Sequence, residues 1–273
     1  MDTEANTAAS TPARMVEAVT PQRHGQRRWV QPSNFAFAAR QALVPVVGLE
    51  AGHAALCLPL AFVPFGDGMT LAALVGLDPQ TNLFVDLDGR WLAPYVPAKL
   101  RSHPFVLAPT AEGSHVLCVD ESSGLIRDDG VGELIVDAEG KLAAPVQQIF
   151  DFLIQAESSQ AVTQKICAAL RAAGVLEPWP LTVESGGASH PVGGLFRVSE
   201  SALNALPDEA FLELRRAGGL PLAYAQLVSM HNLNALGTLA HARAQSAAHR
   251  QAVAPPKGDL DLSFMESDTL RFT

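Results

Sequence analysis

Asp86 and Asp88 stand two residues apart in "LFVDLDGRW", a spacing that puts both carboxylates on one face of an extended segment. There they could hold a divalent cation if a third oxygen ligand converged, but no third ligand is identifiable. Arg90 follows as an ion-pair partner for them. The same residues carry a second reading. Asp88-Gly89 between two apolar runs signals a two-residue hairpin turn, in which both central residues take positive φ. Asp88 then shapes the turn, Asp86 is solvated or caps a backbone group, and Trp91 and Tyr95 anchor a core edge. We read turn and scaffold here. Downstream, "YVPAKLRSHPF" is a helix opening at Pro97 and closing before Pro104. Lys99, Arg101 and His103 lie close enough in sequence to gather an anion, although they do not share one helix face. The candidate ligand-binding residues are therefore Asp86, Asp88, Arg90, Lys99, Arg101 and His103.

The remaining chemistry-bearing patterns dissolve on inspection. His115, Cys118 and Asp120 resemble a metal or thiolate triad, but on the strand "HVLCVD" Cys118 and Asp120 point to one side and His115 to the other. No metal site is expected. The Gly-rich stretch "ESGGASHPVGG" has neither the Gly-Lys-Ser/Thr ending of a phosphate loop nor a Gly-x-Ser-x-Gly elbow, and reads as a connector. No cofactor is expected either. His231 sits on the apolar stripe of a late helix and reads as a hydrogen-bonded core histidine.

Composition narrows the class further. With 273 residues, 48% hydrophobic and 17% charged, the chain can bury a sizeable core. Its net charge of −9 repels a phosphate backbone, and its one basic cluster, Arg23 to Arg28 beside Trp29, reads as a solvated leader rather than a nucleic-acid grip. Cys57, Cys118 and Cys167 are widely spaced with no Cys-x-x-Cys pair, which argues against a disulfide framework or structural zinc and fits a reducing cytoplasm. "MDTEANTAAS" lacks the basic start and apolar run of a secretory signal. The most apolar region, residues 35–65, is broken by Arg40, Glu50, His53 and prolines. It falls short of the ~20 uninterrupted apolar residues of a membrane span.

The elements that must position these residues follow from periodicity. Residues 1–27 carry no hydrophobic period and are expected to be a disordered leader. "ALVPVVGL", "LCLPLAFVPF", "TLAALVGL" and "NLFVDL" are short apolar runs between Gly, Pro and Asp breaks, the spacing of strands. "ELIVDAEGKLAAP" repeats the hairpin logic around Gly140. After Pro145 the period lengthens: Val146, Ile149, Phe150, Leu153 and Ile154 form one helical stripe. Ile166, Ala169, Leu170 and Ala173 form another that Gly174 ends, and the two predict a helical hairpin. "LPDEAFLELRRAGGLP" is a self-consistent helix, acidic at its start and basic at its end. Pro221 opens a long last helix, with Tyr224, Leu227, Val228 and His231 on one face, that loosens near Gly237. After a Pro-Pro linker, Leu260, Leu262 and Phe264 alternate with polar residues, as would a strand that docks back on the chain's own sheet or on a partner. The sum is an α+β fold: one domain over residues 28–245, with a mostly antiparallel sheet from the N-terminal half packed against helices of the C-terminal half. A leader (1–27) and a linker with tail (246–273) flank it.

Taken in order, "LVPVV", "LVGLDPQTNLFVDLDGRWLAPYVPAKLRSHPF", "LRAAGVLEP", "GLFRVSESALNALPDEAFLELRRAGGLPLAYAQL" and the acidic tail ending "TLRF" resemble the bacterial SapC family. The likeness is to the family of surface-layer gene clusters, not to the peptide-transport permease of the same name, and it spans about residues 29–243 and the tail. The resemblance implies a soluble protein found near genes for surface-layer secretion, or near outer-membrane receptors and flavin-dependent halogenase-like proteins. It carries no catalytic residue onto this chain, and His103 stands where an aromatic such as Tyr is expected. We therefore expect a non-enzymatic cytoplasmic accessory protein that binds a protein partner from an export or envelope-uptake system. The alternative is an oxygenase- or hydroxylase-like enzyme with an unrecognised site. The scatter of histidines, and of acids among turns and helix ends, favours binding.

Overall fold

The computed structural model describes residues 15–185 and 188–253. The chain opens with β1 (Val16–Ala18), the helical turn α1 (Pro21–His24) and β2 (Arg28–Trp29), then β3 (Leu43–Pro45), α2 (Gly48–Ala55), β4 (Leu60–Phe65) and β5 (Gly68–Leu74). A long connection leads to α3 (Ala98–Arg101), β6 (Phe105–Pro109), β7 (His115–Asp120), β8 (Ile126–Arg127) and β9 (Glu133–Leu134). Next come the 29-residue α4 (Ala144–Ala172) and the ribbon strands β10 (Leu176–Pro178), β11 (Leu181–Ser185), β12 (Ala188–Val192) and β13 (Phe196–Val198). Four helices close the described chain: α5 (Glu200–Asn204), α6 (Asp208–Arg216), α7 (Gly219–Ser229) and α8 (Leu233–Val253).

Every strand pairing among the described residues is antiparallel, and the fold is α+β. The largest sheet runs β10-β13-β4-β5-β3, so the N-terminal half supplies its centre and the C-terminal half one edge. β4 and β5 are buried on both faces, which is why they read as continuous apolar runs rather than alternating ones. Both edge strands, β3 and β10, end in a proline. Helices α2, α4 and α7 pack on one another and, through α4 and α7, on this sheet, where Phe62, Leu71, Leu170 and Leu222 share one apolar core. The three-stranded sheets β1-β7-β6 and β8-β2-β9 enclose a second, smaller core of Trp29, Phe105, Val119 and Ile135. α4 belongs to both. Val146 and Leu153 enter the second core, while Cys167 and Leu170 enter the first.

Several expectations are corrected. Residues 15–27 are not a disordered leader: β1 pairs with β7, Thr20 caps α1, and His24 is fully buried. Arg23 and Arg27 both reach Glu121, and Arg27 also reaches Asp128. These partners lie about a hundred residues away, so no local pattern could announce them. The expected helical hairpin is one helix, because the polar Ser159 and Thr163, which hid its continuity, sit on the buried face. The stretch "ESGGASHPVGG", read as a connector, carries the end of β11 and the whole of β12, which pair as a hairpin with Leu181 opposite Val192. On α7 the buried face is Leu222, Ala223, Gln226 and Ser229; Tyr224, Val228 and the supposed core histidine His231 are exposed. The helix tightens to a short 3-10 turn at Met230–Asn232 rather than at Gly237. α8 runs to Val253, past the boundary placed at residue 246. Leu260, Leu262 and Phe264 lie outside the described residues.

Candidate functional site

Asp86 closes a turn. Its N–H donates to the Arg90 carbonyl (2.9 Å), its carbonyl accepts from Gly89 (3.1 Å), and its carboxylate accepts from the N–H groups of Asp88 (3.0 Å) and Arg90 (2.7 Å). Gly89 has φ +84°, and no non-glycine residue among those described has positive φ. The loop is therefore three residues, Leu87 to Gly89, and not the two-residue turn expected, because Asp88 keeps an ordinary φ. The N–H of Arg90 above all, then that of Asp88 and the Arg90 guanidinium, hold the Asp86 carboxyl below the usual carboxylate range. The same closure recurs at Asp137 with Gly140 and at Thr110 with Gly113. Asp88 and Arg90 are exposed, and the Asp86–Arg90 ion pair at 3.1 Å is a surface pair of small energetic weight. Asp86, Asp88 and Arg90 thus form a turn, apart from the cavities described next. Among the described residues no group of three or more His, Cys, Asp or Glu is placed to hold a metal.

Of the basic trio, only Arg101 lines these cavities. His103 stacks on Phe37 at 3.8 Å between ring centres, and Lys99 is exposed on α3. Arg101 stands between two adjoining open cavities of 440 and 330 Å³, both lined by Arg101 and Phe152. Pro145, Gln148, Ile149 and Phe152 of α4 line the first; Phe152, Gln155, Ala156 and Ser159 line the second. These positions recur at intervals of three and four, so they are one face of the helix. The cavities thus form a single groove along α4. Its opposite wall is Trp29, Gln31 and Glu133 at one end, and Glu50, His53 and Tyr95 at the other.

The Arg101 guanidinium lies 5.0 Å from the centre of the Phe152 ring and 5.7 Å from that of Tyr95, and its Nη2 donates to the Tyr95 hydroxyl at 3.4 Å. Cation–π contacts orient it without neutralising it. Among the described residues no carboxylate pairs with it. The nearby acid is already occupied. Glu50, at the third position of α2, reaches back to the Val47 N–H (3.1 Å) as the reciprocal half of a capping box would. Its other oxygen accepts from the Tyr95 hydroxyl (2.6 Å) and the Ala98 N–H (2.7 Å). Burial first, and then the Glu50 carboxylate, push the Tyr95 phenol well above the ordinary tyrosine range, so it remains a protonated donor at neutral pH. His53 stacks on the same ring at 5.9 Å, and Trp91 Nε1 donates to the Tyr95 carbonyl at 2.8 Å. This is a rigid wall for one exposed cation.

The sequence reading missed Glu50, His53, Phe152 and Trp29 as site residues and assigned Tyr95 to scaffold. One signal was present: Ile149, Phe152 and Ala156, flanked by Gln148 and Gln155, trace a second helical face beside the buried stripe. The Trp29 Nε1–H is enclosed beside Phe105 with no acceptor in reach among the described residues.

The sequence profile of a family described as SapC matches residues 19–236 of the chain. No curated protein and no solved structure matches it. No helix among the described residues is long and apolar enough to cross a membrane.

Proposed function

Because the chain belongs to the SapC family, we propose that it is a non-catalytic accessory protein of a surface-layer export or cell-envelope uptake system, and that it acts in the cytoplasm by binding a protein partner. The groove along α4 takes an extended segment of that partner: apolar side chains enter the cavities and an anionic group meets Arg101. One observation carries this reading. Arg101 is exposed and lacks a carboxylate partner among the described residues, while the only buried acid beside it, Glu50, has both oxygens committed to Val47, Tyr95 and Ala98. A site for recognition needs an oriented, unneutralised charge beside apolar surface, as here.

The test is selection of an unbiased peptide library on the full chain. Selected peptides are expected to pair an acidic residue with nearby apolar ones, and Arg101→Glu is expected to weaken their binding at least tenfold without lowering the melting temperature. Equal binding to Arg101→Glu refutes the assignment of this groove.

A further inference from the structure

The groove has a definite length. Pro145 to Ser159 spans about 21 Å at ~1.5 Å per helical residue, which is the span of about six residues of extended chain at ~3.3 Å each. It has a definite chemistry as well, with the rings of Trp29, Phe152 and Tyr95 along it and the Arg101 cation at its middle. The sequence holds a six-residue match. Asp259–Phe264 reads "DLDLSF", so an extended conformation presents Leu260, Leu262 and Phe264 on one edge and Asp259, Asp261 and Ser263 on the other.

We propose that residues 259–264 of the same chain occupy this groove when no partner is bound, with the apolar edge in the two cavities and an aspartate at Arg101. The proposal rests on the binding role given to the groove above and adds its resident occupant. Reach permits it. Arg243 of α8 donates to the carbonyls of Asn82 (3.0 Å) and Val85 (3.1 Å), which fixes the helix against that segment. Val85 pairs with Trp91, and Trp91 is bonded to Tyr95, a wall of the groove. From Arg243 the helix runs ten residues to Val253, about 15 Å. Six further residues bring the chain to Asp259 and add up to about 20 Å. Charge agrees too: the last twenty residues carry Asp259, Asp261, Glu266 and Asp268 against Lys257 and Arg271. The tail thereby competes with a partner, and a partner of the same pattern must displace it.

The experiment uses the full chain with Phe264→p-benzoylphenylalanine and photo-cross-linking. Cross-links within one copy to residues 145–159 or 29–31 are expected, with yield falling at least fivefold in Arg101→Glu. Cross-links elsewhere, cross-links between two copies, or a yield untouched by Arg101→Glu overturn the proposal. A second measurement does not depend on the probe. A synthetic peptide of residues 255–273 is expected to bind the full-length L260D/L262D/F264D chain at least tenfold more tightly than the unmodified chain, and equal affinity overturns the proposal. If selected library peptides bind through Arg101 while the tail cross-links elsewhere, the groove keeps its binding role and the tail loses its place there.

Discussion

Gly89 and Asp86 serve one turn in different ways. At φ +84° Gly89 occupies a conformation that costs another residue about 1–3 kcal/mol, and a Cβ there would stand 2.8 Å from the Asn34 side chain. Gly89→Val is therefore expected to lower the melting temperature by several degrees, since each ~1 kcal/mol is worth roughly 2–4 °C in a domain of this size. Asp86→Ala removes an acceptor from a half-exposed loop and is expected to cost less. A thermal melt of the two variants side by side checks the order, and the reverse order would show that the Asp86 carboxylate, more than the glycine, holds the turn. At this scale the sequence made Arg101 legible only as one of three basic neighbours. What distinguishes it lies elsewhere in the chain, in Phe152 of α4 and in Tyr95, whose hydroxyl is held by a glutamate 45 residues upstream. Asp88-Gly89 was legible as a turn, but the count of loop residues depends on which residue takes positive φ, and composition does not set that.

Two elements are braced by a single polar side chain each. The Thr163 hydroxyl of α4 donates to the Ser159 carbonyl (2.6 Å) and accepts the Gly48 N–H (2.7 Å), one of the unpaired amides at the start of α2. Thr163→Val keeps the shape and strands that amide, so a loss of about 1–3 kcal/mol is expected, with faster amide exchange in the first turn of α2 and little change in α6. The N-terminal clasp of β1 and α1 hangs on Glu121, which meets Arg27, Arg23 and His24. Burial works against the Glu121 charge, but the Arg27 and then the Arg23 guanidinium outweigh it and hold the carboxyl below its usual range. A depressed carboxyl contributes stability that is present above its unfolded value, about 4.3, and is lost as pH falls through its folded value. Hydrogen exchange across residues 16–24, taken relative to its intrinsic rate at each pH, is thus expected to accelerate below about pH 4 in the native chain. In Glu121→Gln it should be fast already at neutral pH, and unchanged protection there would show that the clasp is held by strand pairing alone. These contacts also explain what the sequence concealed. Strands and the α6 helix, whose signals are local, were legible; the ordered N-terminus and the unbroken α4, whose reasons are distant partners, were not.

Across the whole molecule, α4 ties the two cores together, so neither is expected to unfold by itself. Cys118 and Cys167 report on the two halves. Burial raises both thiols, Cys167 to about 12, and the proximity of Glu17 adds to the effect at Cys118, so neither supplies reactive thiolate while folded. In a urea series at pH 8 a thiol reagent is expected to label both with one shared midpoint, and separated midpoints would show two folding units. The edges of the five-stranded sheet have a colloidal consequence. Pro45 on β3 and Pro178 on β10 each leave a gap in the row of amide donors, so a second copy cannot template on either edge and continue the sheet. Concentrated solutions should therefore scatter light as discrete particles and not as growing fibres. A partner arriving as an extended strand finds no ladder to join there and must be read by its side chains.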